Sequence, residues 1–371
     1  MTLRIDQLSL HRVRLPLVHG FQTSSHRKNH LEHILVRAVE AGGAVAWGEI
    51  AVGTQPYFSS ESTDSAWAVA RDHLAPALLG AEWEHPHEVE PLWRRIRGNY
   101  FAKAGFDMAA WALWSGASGI PLAAALGGTR DTVEAGVSLG IEPSIDALLE
   151  QVGQHVEAGY GRVKLKIAPG WESEPVRAVR AAFPAVRVHV DANAVYGPGD
   201  VERLVALDGL GLTMIEQPFA PRDFLSHAAL QQRIDTPICL DESIETVDDA
   251  RTMLALGAGR IINIKVSRLG GLSPAQRVHD VAVANGIPVW CGGMHEFGIG
   301  RLANVAISAL PGFTLPSDVS ASQKYYARDI IVPPVTAHGG LVTVPTAPGL
   351  GAEVDEEFIS ANETASHRLT R

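Results

Sequence analysis

The sequence predicts a parallel α/β barrel set behind a separate α+β domain, and three observations carry that prediction. Lys166, Asp191, Glu216, Asp241 and Lys265 recur at steps of 25, 25, 25 and 24 residues. Each ends, or directly follows, a short apolar run (VKLK, VRVHVD, TMIE, ICLD, IINIK), and the chain between runs is long enough for one helix and two turns. That is the rhythm of repeated βα units, whose charges should converge at one end of a barrel. Ahead of the repeat the order changes to strands first and helices after, as in an independent α+β unit.

The elements follow in order. Residues 1–40 alternate as strands do. ILVRAVE runs into Ala41-Gly42-Gly43 and then AVAWGEI, a hairpin whose glycines supply the positive backbone angles of a tight turn. Helices are expected near 65–79, 91–97 and 102–118, and Gly127-Gly128 closes this section. From about Val133, strands are read at 133–139, 162–167, 186–190, 213–215, 237–240, 261–264, 288–290 and 313–315. Helices at 145–158, 175–182, 200–207, 248–256 and 274–284 alternate with them. Several of these eight strands are apolar throughout, as when both faces of a sheet are covered. Eight such units close a barrel whose sites lie at the C-terminal strand ends. The stretch GLVTVPTAPGLGAEVD is strand-like and expected to return toward the N-terminal domain. The division is therefore 1–128, 129–325 and a returning segment 326–371.

Composition narrows the function. With 371 residues, 46% hydrophobic and 19% charged, the chain has material for a large core. A net charge of −10 argues against a nucleic-acid partner, which calls for a basic stripe. It does not exclude a small carboxylate substrate, because a metal and lysines invert the local sign. Cys239 and Cys291 lie in apolar strand-like runs and read as small core residues. Arg4 and Asp6 interrupt the N-terminus, so no signal peptide is expected. No apolar stretch approaches the ~18 residues of a membrane span. A cytoplasmic protein with no membrane partner is the expectation.

The second barrel strand carries Lys164 and Lys166 on one face and Val163, Leu165 and Ile167 on the other, since side chains two apart share a side. Adjacent ammoniums are expected to depress each other's pKa, which suits a lysine that must be neutral to act as a base. Scattered lysines on a solvated edge strand are the plainer alternative. Asp191, with Asn193 two residues on, Glu216 before Gln217-Pro218, and Asp241 each end an apolar run. Singly, each acid reads better as a helix cap or turn residue than as a ligand. Jointly, three acids on consecutive strand ends would repel by several kcal/mol without a cation among them. Hard oxygen ligands point to Mg²⁺, with Mn²⁺ as the second choice. Lys265 would face Lys166 across the mouth. Such a site suits removal of a proton α to a carboxylate. A base contributes about 10²–10⁴-fold, and a Lewis-acid metal adds several kcal/mol.

Taken together, KLK, DAN, IEQP, LDES and NIK on successive strands resemble the enolase superfamily in its muconate-cycloisomerase-type branch. GVSLGI, GYGRVKLKIAPGW, PVWCGGM, PSDVSAS and VPTAPGLG are similar to the o-succinylbenzoate synthase/N-acylamino acid racemase family. The resemblance implies an α/β fold: a modified TIM barrel, (β/α)7β, under an α+β N-terminal capping domain completed by the C-terminal segment. It implies Asp191, Glu216 and Asp241 as Mg²⁺ ligands, Lys166 and Lys265 as acid/base pair, and Lys164 as a supporting lysine. Substrate contacts would come from Ser138, Asn193, Met294 and Glu296, and from Phe21 and Thr23 of a specificity loop. A homo-oligomer is implied as well.

Four activities stay open within this resemblance. Dehydration to o-succinylbenzoate and racemisation of an N-acyl (N-succinyl) amino acid start alike. Dipeptide epimerisation or muconate cycloisomerisation is the alternative. Outside it stand a Schiff-base lysine enzyme and an inactive binding barrel. Three residues depart from the family pattern: His295 and Phe297 in GGMHEFGIG, and Ala112 in AAWALW. Relatives often keep an aspartate at Ala112, and a local hydrogen-bond change in the capping domain, nothing catalytic, is expected there. Phe297 either fills part of the acyl pocket or packs outward. His295 reads as a loop residue, with an extra acid/base role as the sharper alternative. Gly292, Gly293, Gly298 and Gly300 lack phosphate-loop spacing and read as close backbone packing.

Overall fold

The computed structural model describes residues 1–22 and 27–371. The alternating N-terminal residues form two long antiparallel strands, Leu3–Gln22 and Arg27–Glu40, and the predicted hairpin leads into Val45–Ile50. Gly43 has φ +94°, the left-handed turn position expected of it. The sheet is buried on both faces. Leu8, Leu10, Ile34 and Val36 pack under the helix Tyr100–Ala117, whereas Val13, Leu15, Leu31, Leu35 and Trp47 belong to the core shared with the barrel. The helix lies so close that a Cβ at Gly48 would overlap the Gly105 carbonyl oxygen.

The helix expected near 65–79 runs through Thr63–Val69, a π-turn at Ala70–Leu74, and Ala75–Leu78. The one expected near 91–97 does not form. Pro86 and Pro91 each lie at the start of a short 3₁₀ turn, as first residue of Pro86–Glu88 and second of Glu90–Trp93, and neither turn is extended into an α-helix.

Seven parallel strands follow in sequential order: Val137–Leu139, Arg162–Lys166, Arg187–Asp191, Ile215–Glu216, Ile238–Leu240, Ile261–Ile264 and Val289–Cys291. The expected eighth strand is reduced to two single bridges, Val289 with Phe313 and Ala135 with Ser317, which tie the two edge strands together. Pro316 has no N–H to give to a ladder, so this stave cannot pair continuously. Cys239 and Cys291 are free and fully buried, as core residues should be.

The return of the C-terminal segment is made by Glu363–Thr370, antiparallel to Leu3–Gln22. The earlier stretch expected to do this returns in part. Leu341–Thr343 pairs with Thr132–Glu134, and Gly349 beyond it donates to Ser115 Oγ (3.2 Å) and accepts the Leu122 N–H (3.1 Å), with Leu350 packed on the cap core. Cap and barrel are also joined by polar bonds. Glu49 accepts the N–H groups of Phe297 (2.8 Å) and Gly300 (2.7 Å), and Asp107 accepts that of Ser273 (3.0 Å). No helix among the described residues is long and apolar enough to cross a membrane.

Candidate active site

The five periodic charges meet because parallel strands keep their register. Lys166 lies level with Asp191, and Asp191 with Glu216. Glu216 is level with Cys239, so Asp241 stands two residues further up its strand, the stagger of a tilted barrel. Lys164 and Lys166 do share a face, and Val163, Leu165 and Ile167 face the core, each at most 1% exposed. Lys166 Nζ donates to Asp191 Oδ2 (2.6 Å) and to Asn193 Oδ1 (2.5 Å). Lys265 Nζ lies 2.9 Å from Asp241 Oδ2, with the Phe58 ring of the cap 4.3 Å away. Arg268 also donates to Asp241.

Lys164 overturns one expectation. Burial and the neighbouring cation Arg162 push its pKa down, but Asp318, Glu216 and Asp191 more than compensate and hold it well above the usual lysine range. Its Nζ is 2.9 Å from Asp318 Oδ2 and 3.4 Å from both Asp191 Oδ2 and Glu216 Oε2. It is a fixed positive charge, not a neutral amine. Lys265 behaves alike: burial is the largest influence and lowers its pKa, but its acidic neighbours, Asp241 first and then Glu242, leave it raised on balance. Burial raises the Asp191 pKa, but Lys166 and Lys164 pull it below the usual carboxylate range.

Among the described residues, no three histidine, cysteine or acid donors already converge as a ready metal cage. Ammonium groups stand between the acids instead. The donor set nevertheless fits a hard cation. All three candidate ligands are carboxylates at most 1% exposed, and Glu216 Oε2 and Asp241 Oδ2 receive no hydrogen bond. Their positive partners here are ammonium groups, Lys164 at 3.4 Å and Lys265 at 2.9 Å, and a hard cation would supply the same compensating charge to these buried oxygens. Glu216 Oε1 is oriented by Asn263 Nδ2 at 2.8 Å.

One cavity gathers the rest. Phe21, Ser138, Asn193, Met294 and Glu296 line it together with Lys164, Lys166 and Lys265. Thr23 lies outside the described residues. Ser138 donates to Asp318 Oδ2 (3.0 Å), and Glu296 turns back to accept the Met294 N–H (2.9 Å). Asn193 Nδ2 donates to Glu242 (3.1 Å), whose carboxyl burial and Asp241 raise to about 8. His295 lines the wall, stacked on Tyr325 at 4.7 Å with the edge of Phe21 at 4.5 Å. Burial, then Lys28 and Lys324, keep it neutral by lowering its pKa well below the usual value. Phe297 points away, between His33 (4.6 Å) and Tyr326 (5.2 Å), so it fills no part of the cavity. A Cβ at Gly292 would overlap the Asn263 amide, consistent with a glycine of close packing.

Several residues escaped the sequence reading. Arg162 donates to Asp318 Oδ1 (2.7 Å) and lies 5.2 Å from the Trp290 ring, with Lys164 4.9 Å from the same ring. Its position two before Lys164 was a usable signal, because the same alternation puts it on the same face. Asp318 sits in PSDVSAS without the periodic spacing. Lys28, Tyr57 and Phe58 come from the cap, where no strand-end rule applies.

Comparison with known proteins agrees over the whole chain. "Enolase C-terminal domain-like" describes residues 147–358, and "Mandelate racemase / muconate lactonizing enzyme, N-terminal domain" residues 7–127. The chain is 46% identical to the o-succinylbenzoate synthase of Geobacillus kaustophilus, covering 97% of this chain and 96% of that one. It is 47% identical to the N-succinylamino acid racemase of an Amycolatopsis species, with 98% of each covered. The crystal structure of an enolase-superfamily member from Listeria innocua superposes with a TM-score of 0.96 at 35% identity, over 99% of both chains. The chain therefore belongs to the enolase superfamily, among relatives named as o-succinylbenzoate synthases and N-succinylamino acid racemases.

Proposed function

We propose that the protein removes the proton α to a substrate carboxylate, forming an enediolate, and acts as an o-succinylbenzoate synthase, an N-succinylamino acid racemase, or both. The observation that carries this reading is the pair of amines, Lys166 on the second barrel strand and Lys265 on the sixth. They line one cavity and are paired to strand-end carboxylates. Whole-length relatives named for each activity support it.

Lys166 is the base on one face of the α-carbon, aimed by Asp191 and Asn193. In dehydration it takes the proton and returns it to the departing hydroxyl on the same face. In racemisation Lys265 supplies the proton from the opposite face. Lys164 stays charged and favours an anionic carboxylate nearby. Asp191, Glu216 and Asp241 would hold Mg²⁺, or Mn²⁺ in its place, which when bound supplies Lewis-acid stabilisation worth several kcal/mol. Aromatic walls from the cap exclude water from the reacting carbon.

The test is incubation in D₂O with N-succinyl amino acids, alongside dehydration of the hydrated precursor of o-succinylbenzoate. Deuterium at the α-carbon or formation of the dehydrated product is expected. The absence of both overturns the reading. Borohydride trapping with a keto acid separates it from Schiff-base chemistry, which predicts a covalent adduct at Lys265.

A further inference from the structure

The cations of the cavity are not equivalent. Lys164, Lys166 and Lys265 each lie within 2.9 Å of a carboxylate oxygen. Arg301 donates through its terminal nitrogens to the Ser320 and Glu296 carbonyl oxygens, and Lys324, which sits behind Ser138, donates to the Ser138 carbonyl oxygen. Lys28 differs. It lies on the cap strand Arg27–Glu40, directly across the ladder from Phe21, and lines the same cavity as Lys166 and Lys265.

No carboxylate among the described residues pairs with Lys28. Residues 23–26, which precede it, contain no acid. The acids that line the cavity are already engaged: Asp318 by Lys164 and Arg162, Glu296 by the Met294 N–H, Glu242 by Asn193. The charges that act on Lys28 are those of Lys166 and Lys265. Partial burial and these two ammoniums lower its pKa to about 8. A half-buried ammonium repelled by its neighbours gains most from an anion brought in by a ligand. Much of the remaining wall is apolar or uncharged: Phe21, Phe58, Met294, Tyr325 and the neutral His295.

Resting on the proton-abstraction reading above, we propose that Lys28 is the counter-ion for a second carboxylate at the far end of the substrate's acyl chain. One acidic end of the substrate meets the strand-end lysines, an uncharged middle lies against the aromatic wall, and the other acidic end meets the cap. Lys28 is thus a specificity residue that makes the site select dicarboxylates. Both relatives' names describe succinyl compounds, which carry such a far carboxylate.

The test compares N-succinyl and N-butanoyl derivatives of one amino acid, which share the amide and chain length and differ in the terminal charge. With full-length, Mg²⁺-loaded enzyme, Lys28→Gln is expected to raise KM for the N-succinyl compound roughly 10- to 100-fold more than for the N-butanoyl one. Lys28→Arg is expected to restore most of the difference. Equal losses on both compounds, or a fall in kcat alone, would overturn the assignment and make Lys28 a support for the catalytic lysines. Equilibrium dialysis of the same two ligands gives an answer that needs no turnover. If wild type exchanges no α-proton but binds the succinyl ligand in preference, and Lys28→Gln erases the preference, the proton-abstraction reading fails while the Lys28 assignment holds. A wild type that binds both ligands alike sinks the assignment whatever its chemistry.

Discussion

At the barrel mouth Lys164, Lys166 and Lys265 each face a carboxylate, with oxygens 2.6–2.9 Å from the amines. The cap sends into the same cavity the rings of Phe21, Tyr57 and Phe58, and a lysine with no acid beside it among the described residues. The barrel groups sit on short strands whose ladders hold them in register. The cap groups sit on strand tips and on the loop at 52–61, where side chains are more exposed. Charge that must stay put during a proton transfer is thus on the rigid element, and shape and selectivity are on the element that can vary without disturbing it. If this division is right, barrel substitutions should abolish chemistry on every substrate, and cap substitutions should change which substrate is preferred.

The largest effect is expected from Lys166→Ala. It should remove α-proton exchange by about 10²–10⁴-fold or more for all substrates, as followed by NMR in D₂O. Exchange that survives for one substrate only would break the comparison. Asp241→Asn comes next, with turnover lower by roughly a thousandfold, the equivalent of several kcal/mol of lost charge stabilisation. Calorimetric titration should show weaker Mg²⁺ binding alongside. Lys265→Ala sharpens the picture further. Racemisation should fall by about 10²–10⁴-fold while dehydration, which uses Lys166 alone, persists. Normal racemisation would refute the two-base scheme.

On the cap side, Phe58→Ala removes the ring above Lys265. A contact of this kind is worth about 0.5–2 kcal/mol, so a change of less than about thirtyfold is expected, unequal between substrates of different acyl group. A catalytic collapse would instead place Phe58 with the barrel machinery.

The smallest effect concerns stability where the two regions meet. Burial raises the Asp107 carboxyl to about 7, against an ordinary 3.8, opposed by its bonds to Ser273. The folded state therefore keeps a proton that the unfolded chain releases above pH ~4. Stability is greatest below that pH, falls as pH rises toward 7, and levels off above it. The total loss is of the order of a few kcal/mol. Asp107→Asn should flatten this slope in urea midpoints measured from pH 4 to 8, and be the more stable protein at pH 8. An unchanged slope would show that Asp107 is ionised in the fold.

Much of the barrel site was legible in the chain because its signals are local. The alternation of VKLK places two lysines on one face, and the steps of 25 residues report one acid per βα unit. The direction of the Lys164 pKa was misjudged for a non-local reason. The neighbour visible in sequence is a cation, whereas Asp318, Glu216 and Asp191 arrive from three other staves. The eighth strand was expected from a short apolar run, yet Pro316 denies it a ladder. Phe297 could have gone either way. Glu49 of the cap settles it by binding the Phe297 N–H, while the ring packs against His33 and Tyr326.

By itself the chain determined the strand periodicity, the faces of the lysine-bearing strand, the turn glycines and the set of acids and amines at the strand ends. Each depends on residues near one another in sequence. Tertiary structure alone decided which ammonium meets which carboxylate, that Asp318 and Arg162 join the site, and that Lys28 reaches it without an acid of its own. Those outcomes depend on through-space distance and desolvation, and the Coulomb energy between two groups follows their separation in space rather than along the chain.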